Sequence, residues 1–155
     1  MVTHDPAEAM AMADRIAVLV DGKVVQFGTP EELWQRPNHP FVAATIADLQ
    51  PLKGRIEGTQ CVTAFGALPL RLLALTADLA EGTSVPIGVR PSSLTVSLEG
   101  PCVVNDIRFL GDRYTLLISA DNQSLEVATA LKPKVTVGDK VSISFAAAQA
   151  VILQP

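Results

Sequence analysis

The spacing of apolar residues along the chain changes near residue 50. Before this point the pattern predicts helices around one hairpin, and residues 41–49 carry large apolar side chains at helical spacings of three to four. After it, apolar and polar residues alternate, for example over residues 125–129, which is typical of strands with one buried face. We therefore place a boundary at Pro51 and predict two domains, residues 1–50 and 51–155.

The first domain opens with a helix-start signal. Asp5 can cap a helix whose first residue is Pro6, and Glu8 stands three positions after the cap. This is the spacing of a capping box, in which the cap and the later carboxylate each accept a hydrogen bond from the other residue's backbone N–H. The signal predicts a helix over residues 6–14.

A hairpin is expected directly after this helix. Residues 15–20 have the composition of a strand, and Asp21-Gly22 is typical of a tight turn that requires positive φ. Residues 23–27 supply the returning strand.

Two further helices complete the first domain. Thr29 is a cap, Pro30 stands in the first helical position, and Glu32 stands three residues after the cap, so a second capping box is predicted. This helix must end before Pro37. Another helix can begin at Pro40, and one of its faces would carry the large side chains of Phe41, Val42, Ile46 and Leu49.

Short strands separated by turn residues dominate the second domain. This pattern of strands and turns predicts a mainly β fold, which is a small antiparallel barrel of OB-like type. The segments 54–63 and 101–107 each begin one half of the barrel, so the two halves are expected to resemble each other. The predicted turns are Gly58, Gly66, Glu81-Gly82, Glu99-Gly100-Pro101, Gly111-Asp112, Asp121-Asn122 and Gly138-Asp139.

Composition and charge exclude several classes of protein. Although 48% of residues are hydrophobic, charged residues interrupt every apolar stretch before it reaches the ~18 residues that a membrane span needs. The net charge of −4 and the scattered Lys and Arg residues argue against nucleic-acid binding. Cys61 and Cys102 are too few and too isolated for a zinc cage, and we expect reduced, partly buried side chains. A cytoplasmic protein is the simplest interpretation.

Several motifs occur along the chain in an order found in one protein family. In the first fifty residues they are Val2-Thr3-His4-Asp5, Ala13-Asp14-Arg15-Ile16, Asp21-Gly22-Lys23, Gln26-Phe27-Gly28-Thr29-Pro30-Glu31-Glu32-Leu33 and Pro37-Asn38-His39-Pro40-Phe41-Val42-Ala43; after them come Ile87-Gly88-Val89-Arg90-Pro91, residues 103–110 and Gly111-Asp112-Arg113. The first group resembles the closing segment of the ATP-binding subunit of a bacterial ABC importer, from the switch-histidine loop onward, and the second is similar to the appended TOBE domain. The resemblance implies that the first domain is an α+β remnant of the ATPase domain.

The resemblance implies one catalytic residue in this chain. His4 matches the switch histidine, which contacts the γ-phosphate of ATP, and it can act only if a full ATPase core completes it. ATP and magnesium are implied for a complete subunit, whereas no cofactor is expected in this chain. The only Gly-Lys pair, Gly22-Lys23, is followed by Val24 and has Ala17 where a phosphate-binding loop needs its first glycine. We therefore expect no ATP hydrolysis by the chain itself, and no metal site.

The remaining candidate residues have plain structural interpretations. His39 is expected to be a solvated loop residue, and Arg90 a charged residue at a strand end before a proline. Asp112-Arg113 is interpreted as a polar hairpin tip. Trp34 and Phe41 are expected to be core or interface side chains.

The predicted function is that of a regulatory and dimerisation region of an importer ATPase. Its expected partners are a second copy of the chain, the membrane permease and a small-molecule or protein regulator, at the inner face of the cell membrane. A larger ATPase sheet would bury Met10, Ile16, Val18 and Val20, so without one we expect dimerisation or disorder of the first segment. The alternative is a stand-alone oxyanion-binding barrel, although the Ser-Ala-Arg-Asn motif of such proteins is missing.

Overall fold

The described part of the chain divides into two units, residues 2–49 and residues 50–152. The structure is a computed structural model, and it describes residues 2–72, 79–145 and 151–152. No helix among these residues is long and apolar enough to cross a membrane. The assignment of residues 1–50 and 51–155 to an ATPase domain and a regulatory barrel stays a prediction.

The first unit contains the elements that the sequence predicts, with shorter helices. Their order is α1 (Pro6–Met12), β1 (Ile16–Val20), β2 (Lys23–Gly28), α2 (Pro30–Gln35) and α3 (Pro40–Thr45). The first and third helices end earlier than expected, before the predicted ends at residues 14 and 49.

The β1–β2 turn has the predicted geometry. Asp21 and Gly22 have φ values of 50° and 75°, the left-handed conformation that this hairpin turn requires. The strands pair antiparallel, with a register shift after Val18. One small buried core consists of Ile16, Val18, Leu33, Val42 and Ile46, and the partly buried side chains of α1, Ala9 and Met10, pack against it.

The second unit is built from antiparallel strands joined by short turns. Short 3-10 turns follow two of the strands, at Leu70–Leu72 and Pro91–Ser93. The strands are β3 (Gln50–Glu57), β4 (Gln60–Thr63), β5 (Gly66–Pro69), β6 (Ser84–Val89), β7 (Thr95–Phe109), β8 (Tyr114–Ala120), β9 (Gln123–Thr129), β10 (Lys140–Ser144) and β11 (Val151–Ile152).

These strands form two sheets with the same internal order. One sheet has the order β11-β6-β3-β4-β5 and the other β10-β7-β8-β9. Among strands β3–β6 the first lies between the second and the fourth, and the same holds for β7–β10. The predicted similarity between the two halves is therefore present in the strand order. The expected mainly β, antiparallel, OB-like fold is confirmed, with two sheets rather than one continuous sheet.

Both sheets contribute to a single apolar core. Leu52 and Ile87 enter it from the first sheet, and Ile118 and Val127 from the second. Cys61 and Cys102 are unpaired as predicted, but they are fully rather than partly buried, and burial raises the pKa of both thiols.

One predicted turn is wrong. The segment Glu99-Gly100-Pro101 does not separate two strands but forms a bulge inside β7, because the register with β10 jumps from Leu98 to Val103. Glu99 adopts a φ of 68°, which only a few non-glycine residues tolerate. A side chain at Gly100 would place its Cβ 2.3 Å from the carbonyl oxygen of Val141, so only glycine fits there.

A double substitution tests the packing of β3 on β4. A Cβ at Gly54 would lie 2.3 Å from the Cys61 sulfur, so Gly54→Ala should lower the free energy of unfolding by about 2 kcal/mol. Cys61→Ala leaves a small cavity and should cost about 1 kcal/mol. In the double variant the new methyl occupies the space of the lost sulfur. The loss in free energy of unfolding, measured with urea, should therefore be about 1 kcal/mol smaller than the sum of the two single losses. Strictly additive losses would contradict this packing.

Candidate functional site

The His4 segment is held by hydrogen bonds on both sides of the histidine. The Asp5 backbone N–H donates to Thr3 Oγ1 over 3.1 Å. Asp5 Oδ1 in turn accepts from the N–H groups of Ala7 (2.8 Å) and Glu8 (3.3 Å), which caps α1. The predicted capping box is therefore only half formed, because the Thr3 hydroxyl, two residues before Asp5, takes the position expected for the Glu8 side chain.

The side chain of His4 itself is exposed in the bend before α1. An exposed imidazole can donate to a phosphoryl oxygen or to water. Within residues 2–72, 79–145 and 151–152, no group of three or more His, Cys, Asp or Glu residues could hold a metal ion. The role of His4 as a switch histidine stays a prediction.

The β1–β2 hairpin has one buried and one exposed face. Ile16 and Val18 are buried in the core of the first unit. On the other side, Leu19, Val24 and Phe27 are each 58–59% exposed, and we call these three side chains the exposed hairpin face.

The expectation that Ile16 and Val18 need a larger sheet for burial is wrong, because they pack against Leu33 and the α3 segment. Met10 and Val20, which were expected to need the same sheet, are half-buried. The dimerisation or disorder expected of the first segment stays a prediction.

A cation covers one end of the exposed hairpin face. The guanidinium of Arg15 lies 4.7 Å from the ring centroid of Phe27. Such a contact is worth roughly 0.5–1 kcal/mol at an exposed site. The side chain of Phe27 is still 59% exposed, so the ring remains available to a further apolar partner.

The connection from the hairpin into α2 is the predicted capping box. The Glu32 N–H donates to Thr29 Oγ1 (3.2 Å), and the Thr29 N–H donates to Glu32 Oε2 (2.8 Å). The hydrogen bond from the Thr29 backbone is the main cause that lowers the pKa of Glu32, and the Thr29 side chain adds to it. The interpretation of this glutamate as a capping residue is confirmed.

The side chain of one glutamine in the hairpin forms hydrogen bonds with the segment between α2 and α3. Gln26 Nε2 donates to the Arg36 carbonyl over 3.0 Å, and Gln26 Oε1 accepts from the Asn38 N–H over 2.9 Å. His39 is half-buried and caps α3, since its Nδ1 accepts from the Phe41 N–H over 3.1 Å. The expectation of a solvated loop histidine is therefore wrong; Pro40 signalled the helix start, but histidine is not among the preferred caps.

The other candidates in the sequence fall into different environments. Phe41 is 45% exposed and not part of the core, whereas Leu33 beside Trp34 is fully buried. Arg90 directly follows β6 as predicted, but it is only 5% exposed, which the sequence did not indicate. Asp112-Arg113 forms the predicted polar hairpin tip between β7 and β8, with an ion pair of 3.9 Å between its charged groups.

Comparison with known proteins finds a family model and several relatives that match this chain. Residues 87–153 match the TOBE domain family. The Fe(3+) ions import ATP-binding protein FbpC of Streptomyces coelicolor is 35% identical over 98% of this chain and 43% of its own length. The chain matches the C-terminal part of the ATP-binding subunit of ABC importers. The resemblance seen in the sequence is thereby confirmed.

Relatives named for different cargoes match this TOBE-containing chain about equally well. The spermidine/putrescine import ATP-binding protein PotA of Acidothermus cellulolyticus is 38% identical over 79% of this chain and 35% of its own length. The FbpC 1 protein of Pectobacterium atrosepticum is 31% identical over 85% of this chain and 38% of its own length. The chain spans less than half the length of these ABC importer subunits.

The capping box at Thr29 predicts a pH-dependent stability of the first unit. Because the folded-state pKa of Glu32 is lowered, its contribution is present above the ordinary value of 4.5 and is lost as the pH falls through the lowered value. Glu32→Gln keeps an acceptor for the Thr29 N–H but removes the charge. Urea unfolding between pH 7 and 3, followed by the fluorescence of Trp34 in α2, should therefore depend less on pH in this variant.

The neighbouring glutamate supplies the control for this measurement. Glu31 lies in the same helical turn, and its side chain accepts from Gln35 Nε2 instead of from the cap. Glu31→Gln should retain most of the pH dependence of the wild type. Equal profiles for Glu32→Gln and the wild type would show that the charge of Glu32 does not stabilise α2.

Proposed function

We propose that the chain acts as the regulatory and subunit-pairing C-terminal region of an ABC importer ATPase. The observation that carries this proposal is the alignment with the Streptomyces coelicolor relative, which covers 98% of the chain and so includes both units. A match to a TOBE domain alone would account only for residues 87–153. The presence of the His4 segment, the hairpin and the barrel in one alignment favours a common role with the longer relatives.

ATP and magnesium belong, in this proposal, to the complete subunit and not to this chain alone. The local geometry of Gly22-Lys23 supports this view, because Gly22 lies in the turn of the hairpin and Lys23 opens β2. A phosphate-binding loop instead wraps the backbone around the phosphates ahead of a helix. The Gly22-Lys23 pair therefore does not fit a nucleotide phosphate by itself. His4 would contribute a hydrogen bond to the terminal phosphate when the other parts of the site are present.

The exposed hairpin face is the proposed contact with the rest of the ATPase domain. Leu19, Val24 and Phe27 are apolar, lie on one side of a two-stranded sheet and are all more than half exposed. Burial of apolar surface contributes roughly 25 cal/mol per Å², so covering three such side chains would bind the hairpin firmly to an apolar partner surface.

Cargo selection lies, in this proposal, outside the chain. Relatives named for iron and for polyamine import match it at 35% and 38% identity, although Fe(3+) and a polyamine share little chemistry beyond positive charge. The proposed partners are a second copy of the chain, a membrane permease and a small-molecule or protein regulator, at the inner face of the cell membrane. The net charge of −4 makes nucleic acid an unsuitable partner.

The ATPase proposal is tested with the purified chain and with a chimera that joins it to the remaining part of the Streptomyces coelicolor relative. The chain alone should show no magnesium-dependent ATP turnover, whereas the chimera should hydrolyse ATP. His4→Ala should lower kcat of the chimera by about a hundredfold or more, because a positioned hydrogen-bonding group is lost. His39→Asn, which keeps a helix cap at the other histidine, should leave kcat unchanged. Turnover by the chain alone that vanishes with His4→Ala would refute the proposal.

The proposed contact surface is tested by charge. Leu19→Lys with Val24→Lys should leave the circular dichroism of the chain unchanged, since both positions are exposed, but should reduce the yield of folded, active chimera. Leu98→Lys in β7 is the matched control, because Leu98 is an equally exposed apolar residue (56%) in the second unit. A fully active Leu19/Val24 double variant would show that the exposed hairpin face has no partner in the ATPase domain.

A further inference from the structure

The two sheets of the second unit meet along an edge that has no backbone ladder. Residues 50–55 of β3 pair with β6 on one side, but β4 joins the other side only from Gly54 onward. Among the described residues, the first residues of β3 therefore pair with a strand on one side only. On the other side they contact β9, which is itself the outer strand of the second sheet.

Glutamine side chains bridge this open edge. Gln50 Nε2 donates to the Glu126 carbonyl oxygen over 2.5 Å, and Gln50 Oε1 accepts from the Glu126 N–H over 2.8 Å. In the reverse direction, Gln123 Oε1 accepts from the Lys53 N–H over 3.3 Å. Because an amide side chain carries the same donor and acceptor as a peptide group, Gln50 gives Glu126 the hydrogen bonds that a neighbouring strand would give.

The spacing of these contacts fits two antiparallel edges. From Gln50 to Lys53 the chain advances three residues along β3, and the partners move back three residues along β9, from Glu126 to Gln123. Leu125 and Val127 flank Glu126 and direct their N–H groups toward β8, since the backbone groups of successive residues in a strand point to opposite sides. Glu126 is thus the position at which β9 presents both backbone groups to Gln50.

We propose that Gln50 and Gln123 form an amide clasp that closes the two sheets into a barrel and opens independently of the strand ladders. The clasp holds both edges with three hydrogen bonds from flexible side chains, whereas the β8–β9 ladder is a continuous pairing of seven residues on each strand. Local opening requires the least free energy where few bonds must break together. When closed, the clasp also covers strand edges that could otherwise pair with another chain.

Amide hydrogen exchange of the full chain, followed residue by residue by NMR, tests the clasp. In the wild type the Glu126 N–H should exchange faster than those of Leu125 and Val127, and its exchange should depend less on denaturant. Gln50→Ala should accelerate exchange at Glu126 by about tenfold and leave the amides of Leu125 and Val127 unchanged. Gln123→Ala should accelerate exchange at Lys53.

The control and the contradicting outcomes follow from the same measurement. Gln60 is an exposed glutamine of β4, and Gln60→Ala should change neither amide. If Gln50→Ala does not fold, the wild type alone decides the question through the rates of its three β9 amides. Exchange of Glu126 at the same rate and with the same denaturant dependence as Leu125 and Val127 would overturn the proposal, as would a Gln50→Ala protein with unchanged exchange at Glu126.

Discussion

The arrangement of the second unit depends on the burial of one apolar core between two sheets. Alternating side chains such as Leu52 and Ile56 in β3, and Leu125 and Val127 in β9, point into the same interior. To enclose it, the chain must bend its strands and bring backbones close together. Gly54 and Gly100 stand where a side chain would collide with a neighbour, so these glycines follow directly from the need to close the core.

The same constraint leaves backbone groups that no strand can pair. A sheet that curves around a core has outer edges, and unpaired N–H and C=O groups at such edges must find other partners. Gln50 meets this need by joining β3 to β9, because it donates and accepts through one amide. Gln26 uses the same chemistry in the first unit, where it binds backbone groups of the segment between α2 and α3 rather than of a sheet edge.

The strand-rich fold and several local features could be predicted from the sequence, whereas particular contacts between distant residues could not. The Asp21-Gly22 turn and the Thr29 capping box depend on residues within four positions, so their signals stand together in the chain. The bulge at Glu99 depends on how β10 approaches β7, and the same residues would also suit a turn. Gln50 contacts a residue 76 positions away, and in sequence it is only a polar residue on the core-facing side of a strand.

At the candidate site, too, the backbone is held by neighbouring residues, whereas the proposed chemistry depends on groups far from His4 in the chain. Thr3 and Asp5 fix the backbone on both sides of His4 with hydrogen bonds that span two or three residues, so this segment can hold its shape without the rest of a nucleotide site. In the proposed function, the imidazole gains its role only from groups that lie elsewhere, and its motif indicated the family of the segment without showing those groups. In the same proposal, the exposed hairpin face binds the rest of the ATPase domain, because it offers apolar area while the helices already cover the opposite side of the hairpin.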